Sequence, residues 1–253
     1  MSDNKTAIVS TVSGKLEGSY QNGLYIFKGI PFAAPPLGDL RWMPPQSINP
    51  WQGVRAAKEF GPIAPQALLP GGPIVHTPQV QSEDCLFLNI WTPGLDNAKR
   101  PVMVWIHGGA FTMGSGSEAN YDGRKLAAKG NIVLVSINYR VGMLGFLRLK
   151  DVTGGKIPST GNEGFLDQVA ALKWVKANIA AFGGDPGNVT VFGESAGSMS
   201  IACLMVMPAA KGLSTKASWK AALAAWPSPK RMPMPSANNS LKCPALKKMT
   251  LKP

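Results

Sequence analysis

Asn188-Val189-Thr190-Val191-Phe192-Gly193-Glu194-Ser195-Ala196-Gly197 (NVTVFGESAG) runs from a β-branched segment into a glycine–serine–glycine turn, and an apolar run over residues 201–207 follows it. Alternating Val, Thr and Val suit a buried strand, and the apolar run after the turn suits a helix. The spacing Gly193-x-Ser195-x-Gly197 fits a sharp strand-to-helix reversal that holds a serine in a strained conformation with its hydroxyl exposed. Small residues are required on both sides, because a side chain at either glycine would meet the neighbouring strand or helix. The helix entrance also leaves unpaired N–H groups and the positive end of the helix dipole beside Ser195, which favours developing negative charge. The five-residue pattern is weak alone, and a surface turn that happens to hold a serine is the bland alternative. The strand before it and the helix after it give it value.

Upstream of this stretch the period changes. Leu166, Val169, Leu172, Val175, Ile179 and Phe182 recur every three or four residues. That spacing predicts one helix over residues 162–182, capped by Asn162 and ended by Gly183-Gly184. Residues 101–106 (PVMVWI) and 131–139 (NIVLVSINY) read as strands buried on both faces, and residues 85–91 (CLFLNIW) as a further strand. Asn22-Gly23 lies between two strand-like runs, residues 15–17 and 24–27, and predicts a tight hairpin. Residues 29–45 read as a Pro-rich loop, and residues 201–210 as a buried helix broken by Pro208. The order predicts an α/β fold with a mostly parallel central sheet flanked by helices, in which the strand over residues 188–192 lies mid-sheet.

His107-Gly108-Gly109-Ala110-Phe111 (HGGAF) follows the strand over residues 101–106. Acyl transfer passes through a tetrahedral oxyanion, and each backbone N–H aimed at it is worth about 3–4 kcal/mol. Only small residues let a backbone come that close to a reacting centre. The candidate donors are Gly109, Ala110 and Ala196, with Gly108 giving the loop its freedom. His107 at the start of the loop reads as a brace rather than a general base. His76, in a second Pro-rich stretch, reads as a loop-packing residue. Glu194 adjoins Ser195 on a sharp turn, so its side chain points away from the serine and a structural hydrogen bond is expected of it. Gly114-Ser115-Gly116-Ser117 lacks the Lys-Ser/Thr of a phosphate loop and reads as plain loop.

The chain's 253 residues can bury a sizeable core in one domain. Its net charge of +12 would ordinarily suggest an anionic partner. Residues 1–213, however, carry 18 basic and 14 acidic residues, whereas residues 214–253 carry 8 basic and no acidic ones. The excess is therefore confined to one end, and no nucleic-acid role is expected. No apolar run approaches the roughly 18 residues of a membrane span, and residues 1–14 hold no secretory core segment. Cys85, Cys203 and Cys243 lie far apart without metal-ligand spacing, which suits free thiols in a reducing, cytoplasmic compartment.

Several motifs then coincide in order. Gly29-Ile30-Pro31-Phe32-Ala33, Pro35-Pro36-Leu37-Gly38, Leu40-Arg41-Trp42, Ser82-Glu83-Asp84-Cys85-Leu86-Phe87-Leu88-Asn89, HGGAF, GNEGFLDQ and FGGDPGNVTVFGESAGS resemble the type-B carboxylesterases, the family of bacterial p-nitrobenzyl esterases and cholinesterases. The resemblance spans about residues 6–213. It implies an α/β-hydrolase fold of roughly twice this length, present here as its N-terminal part, with Ser195 as nucleophile and Gly108, Gly109, Ala110 and Ala196 around the oxyanion. It implies a small-molecule ester as substrate, and neither metal nor cofactor. Secreted relatives pair the SEDC cysteine with an upstream cysteine, where this chain has Ala64 in Phe60-Gly61-Pro62-Ile63-Ala64-Pro65-Gln66. Non-catalytic adhesion proteins on the same fold are the alternative, and the retained serine argues against it.

The family's triad runs Ser, then Glu or Asp, then His. No Asp, Glu or His follows Ser195 in this sequence, which predicts negligible activity for the chain as given. Where relatives continue with something like GLFHKGIMEG, this chain reads GLSTKASWKA from Gly212 onward. Loss of one T from codons for the former reproduces the latter. The expected division is therefore residues 1–213 as esterase domain and residues 214–253 as a basic, frameshifted, disordered tail, leaving the strand over residues 188–192 with an open outer edge.

Overall fold

The structure, a computed structural model, describes residues 6–67 and 79–220. His76 and Cys243 lie outside the described residues.

Asn22 and Gly23 both take positive φ, 52° and 81°, which is what a two-residue hairpin needs. They join β2 (Gly14–Gln21) to β3 (Leu24–Pro31), and β1 (Thr6–Thr11) pairs with the outer edge of β2. A short β4 (Val54–Ala56) adds a parallel contact to β2. The first three residues of the stretch read as Pro-rich loop thus belong to β3, and a single 3₁₀ turn follows at Gly38–Leu40.

The remaining strands are β5 (Phe87–Thr92), β6 (Arg100–Ile106), β7 (Val133–Ile137), β8 (Gly184–Glu194) and β9 (Lys216–Lys220), in spatial order β1-β2-β3-β5-β7-β6-β8-β9. The sheet is mixed. Its N-terminal half is antiparallel through the β5–β7 pair, and β7, β6, β8 and β9 are mutually parallel. β7 is buried on both faces, as expected of residues 131–139, whereas β6, expected to be so over residues 101–106, buries only Val102, Val104 and Ile106 because its other face is partly open.

Parallel strands need crossovers, and their right-handedness fixes the face each helix takes. α1 (Arg124–Gly130) carries the chain from β6 to β7. Its Ala127 packs with Leu24, Ile26, Trp91 and Leu134. α2 (Gly142–Phe146) and α3 (Glu163–Asn178) lead the opposite way, past β6 to β8, and α4 (Ala196–Val206) leads on to β9. Val169, Leu172, Val175, Ile179, Phe182, Ile201 and Leu204 belong to the main core with Val102, Val104, Val133, Val135, Val189 and Val191.

Three further sequence expectations need correction. The predicted helix over residues 162–182 is α-helical only to Asn178 and closes with a 3₁₀ turn, Ile179–Phe182, before Gly183 at φ 75°. Asn162 stands at the cap position without a side-chain cap bond; the buried Glu163 carboxylate takes the Thr160 and Gly161 N–H groups instead. The two carboxylate oxygens take one N–H each.

The second correction concerns the sheet edge. β8 lies between β6 and β9, so its outer side is paired from Thr190↔Lys216 to Glu194↔Lys220. The open edge expected for that strand is closed by residues of the segment read as tail, and residues 216–220 stand in register with β8. Ladder bonds use backbone groups alone, so an extended segment of almost any side chains can satisfy them. The helix expected over residues 201–210 is α4 followed by a 3₁₀ turn at Pro208–Ala210, and it is buried on one side only, Met205 and Val206 being exposed.

Candidate functional site

β6 and β8 run parallel and in register, with Trp105 opposite Phe192 and Ile106 opposite Gly193. Their loops therefore leave the sheet side by side at the carboxyl ends of the strands, where open α/β sheets present their sites. One loop begins at His107 and the other is the turn at Ser195.

Ser195 has φ 54° and ψ −122°, outside the regions an L-residue ordinarily occupies. Such a residue carries about 1–3 kcal/mol of strain and persists only where its surroundings over-determine it. The glycines show how. A methyl group at Gly197 would collide with the Ile106 carbonyl oxygen, and one at Gly193 would lie 2.7 Å from the same oxygen. The Ser198 hydroxyl donates to the Gly193 carbonyl at 2.8 Å, and the Met199 N–H donates to the Ser195 carbonyl at 3.1 Å as α4 begins. Ala196 is fully buried, while Ser195 keeps partial exposure.

Gly108 comes against this turn. A methyl group there would lie 3.2 Å from Ser195 Cβ and 2.9 Å from both the Glu194 carbonyl oxygen and Glu194 Oε2. The two sequence motifs, distant in the chain, are thus in direct contact through backbone. Beyond Gly108 the loop turns tightly. Gly109 has φ 111°, and Ala110 and Phe111 take φ 54° and 61° without being glycine. The Gly109 carbonyl accepts from Thr112 N–H at 3.0 Å and Met113 N–H at 3.1 Å, and the Phe111 carbonyl from Gly142 N–H at 2.6 Å.

His107 is buried beneath the loop. Its Nδ1 lies 2.8 Å from the Gly108 carbonyl oxygen, and its ring stacks on Tyr139 at 4.2 Å, whose hydroxyl donates back to the His107 carbonyl at 2.9 Å. Burial pushes its pKa down to about 4, with the Gly108 contact opposing. The imidazole is therefore neutral near pH 7, with Nδ1–H as donor. Nε2 has no hydrogen-bond partner among the described residues, so no bond links this ring to the Ser195 hydroxyl. Burial raises the Tyr121 phenol above its ordinary value, and the Glu194 and Glu118 carboxylates add to this.

Three supports carry no signal in a single sequence. Arg140 and Asp167 form a buried two-pronged ion pair, at 2.8 and 2.7 Å, and Asp167 also accepts the Arg140 N–H at 3.0 Å. This ties the segment after β7 to α3. The loop read as plain at residues 114–117 is buried and bonded into the sheet. Asn138 Oδ1 accepts the Gly116 N–H at 2.8 Å, and the Ser136 hydroxyl donates to the Gly116 carbonyl at 2.7 Å. Gln66 is the third. Its Oε1 accepts the Gly114 N–H at 2.6 Å and its Nε2 donates to the Gly114 carbonyl at 3.1 Å.

Cys85 is buried and free, and Cys203 is free and partly exposed. No helix among the described residues is long and apolar enough to cross a membrane.

Comparison with known proteins agrees with this geometry. A sequence model described as the carboxylesterase family matches residues 5–238. The para-nitrobenzyl esterase of Bacillus subtilis (strain 168) is 52% identical over 211 residues, covering 83% of this chain and 42% of that protein. The phenmedipham hydrolase of Pseudarthrobacter oxydans is 47% identical, covering 81% and 41%. Among solved structures, a carboxylesterase of Geobacillus stearothermophilus superimposes with a TM-score of 0.77 at 50% identity, covering 84% of this chain and 43% of that one. The chain thus spans about two fifths of the length of these relatives. A strained serine between parallel strand and helix, a glycine loop against it and these matches lead to one conclusion: the chain belongs to the carboxylesterase family, with an α/β-hydrolase fold.

Proposed function

We propose that Ser195 is the nucleophile of a carboxylic ester hydrolase that works through an acyl-enzyme on small-molecule esters in the cytoplasm. The observation that carries this reading is the contact between Gly108 and the Ser195 turn, with Ser195 itself at φ 54°. In this reading the Ser195 oxygen forms a bond to the ester carbonyl carbon while a general base takes its proton. The carbonyl electron pair moves to oxygen, where the N–H groups of Gly109, Ala110 and Ala196 receive it and Gly108 lets the loop approach. Collapse expels the alcohol, which leaves with the proton from the base, and water repeats the sequence to release the acid. The steps involve no redox change and need neither metal nor cofactor.

The base is not His107, whose ring is committed to Gly108 and Tyr139. No Asp, Glu or His follows Ser195 in these 253 residues. The histidine and acid of the triad are therefore assigned to sequence outside them. Loss of the base in a serine hydrolase lowers turnover on the order of 10⁶-fold, so the 253-residue chain alone turns over esters negligibly.

The test joins residues 1–213 to the remainder of the Bacillus subtilis para-nitrobenzyl esterase and measures p-nitrophenyl acetate hydrolysis. Turnover that Ser195→Ala abolishes, with fluorophosphonate labelling at Ser195, supports the reading. Turnover that survives Ser195→Ala, or an inert but folded joined chain, overturns it. Sequencing the gene across codons 212–215 tests the proposed change of frame: a base restored in close relatives supports it, and an unrelated in-frame segment refutes it.

A further inference from the structure

The turn that carries the oxyanion donors is strained at consecutive non-glycine residues, Ala110 and Phe111. Left to itself it would relax, because each positive φ is disfavoured for an L-residue. Something must therefore hold both of its ends. The entrance is held by β6, by the stacked His107–Tyr139 pair and by the Tyr139 hydroxyl on the His107 carbonyl. The exit is Gly114, at φ 103°, packed so closely under the entrance that a methyl group there would lie 2.5 Å from the Gly108 oxygen and 2.6 Å from His107 Nδ1.

Gly114 lies in no strand or helix, yet both of its backbone polar groups are satisfied by one side chain, the carboxamide of Gln66. Gln66 is itself fixed. Its Nε2 also donates to the Ala64 carbonyl at 2.9 Å, and its backbone N–H donates to Gln81 Oε1 at 2.8 Å. Ile63 and Gln81 form a parallel bridge beside it. A primary amide donates and accepts side by side in one plane, as a backbone edge does, so it can stand in for a neighbouring strand.

We propose that Gln66 is a positioning residue for the oxyanion loop: by pairing with both backbone groups of Gly114 it holds the turn that aims the Gly109 and Ala110 N–H groups at the Ser195 site. The proposal rests on the esterase reading for its catalytic consequence, but its structural content can be measured without activity. Movement of Gly114 transmits directly to Gly108, because the two are in contact, and a displacement of about 1 Å in such a site costs on the order of 100-fold in rate.

Two measurements test it. In the 253-residue chain, Gln66→Leu and Gln66→Glu are compared by amide hydrogen exchange. Glu keeps an acceptor for the Gly114 N–H and loses both donations. Exchange at Thr112, Met113 and Gly142, the bonded amides of the turn, should quicken about tenfold in Gln66→Leu and less in Gln66→Glu. Val104 and Val135 in the sheet should not change. In the joined chain, assayed well below its melting temperature, kcat should fall about 10- to 100-fold in Gln66→Leu, with KM within about twofold of the parent. If only the Gly114 amide quickens, or the sheet amides quicken equally, the positioning role is overturned. An inert parent joined chain would defeat the esterase reading, and the exchange data would still decide this one.

Discussion

His107 offers a quantitative test of how the loop is built. Its ring is buried and neutral, with a pKa pushed down to about 4 from an ordinary 6.5. The unfolded chain takes up a proton near pH 6.5, whereas the folded chain resists doing so until near pH 4. Between those values the unfolded state binds more protons, so stability rises with pH, is fully present above about 6.5 and is lost as pH falls toward 4. At about 1.4 kcal/mol per pH unit, the full effect is about 3 kcal/mol, of which about 2 kcal/mol is gone by pH 5. The perturbation is His107→Phe, which keeps a ring on Tyr139 and suits the unpartnered Nε2 position but cannot titrate. It leaves the Gly108 carbonyl without its donor, a loss of about 1–3 kcal/mol at pH 7.5. Urea unfolding of parent and variant at half-unit steps from pH 7.5 to 5 gives both curves. The parent should lose about 2 kcal/mol more than the variant across this range. Parallel curves would show that His107 takes up a proton as readily in the folded chain as in the unfolded one, so that it is not a buried, neutral brace.

Further outcomes follow from the same geometry. Gly197→Ala drives a methyl group into the Ile106 carbonyl oxygen; soluble yield and melting temperature should both collapse, and a variant as stable as the parent would show that the turn can relax. Ser195→Gly and Ser195→Ala both remove the hydroxyl, but only glycine relieves the positive φ, so the glycine variant should be more stable than the alanine one by about 1 kcal/mol after its own entropic cost, as read by urea denaturation. Equal stabilities would argue against strain at Ser195. Arg140→Leu leaves the buried Asp167 carboxylate unpaired and should cost about 3–5 kcal/mol, whereas the double change Arg140→Met with Asp167→Leu should recover much of the loss in thermal unfolding.

Much of the site can be read along the chain because its needs are local. A strained serine requires glycine at 193 and 197, and a loop backbone packed against that turn and against Met113 requires glycine at 108 and 109; such demands leave short patterns. The strands over residues 101–106, 131–139 and 188–192 announce themselves by short apolar runs rich in β-branched residues, although only β7 is buried on both faces while β6 and β8 bury alternate residues. The hairpin at Asn22-Gly23 is equally local, because positive φ at two successive residues selects those side chains. The resemblance carried by the longer motifs extended this to the family and its fold, which comparison with known carboxylesterases bears out.

What remained hidden depends on partners distant in sequence. Gln66 bonds to Gly114, Arg140 to Asp167, and Tyr139 stacks on His107; none of these side chains is unusual where it stands, so no spacing betrays it. The antiparallel half of the sheet, and the pairing of residues 216–220 with β8, are decided by which backbone edges are left to be satisfied once the strands assemble. Residue types with local conformational demands are written in the sequence. The choice of neighbour for a saturable backbone group or a buried charge is made only when the chain closes on itself, because only then does burial make an unpaired group costly.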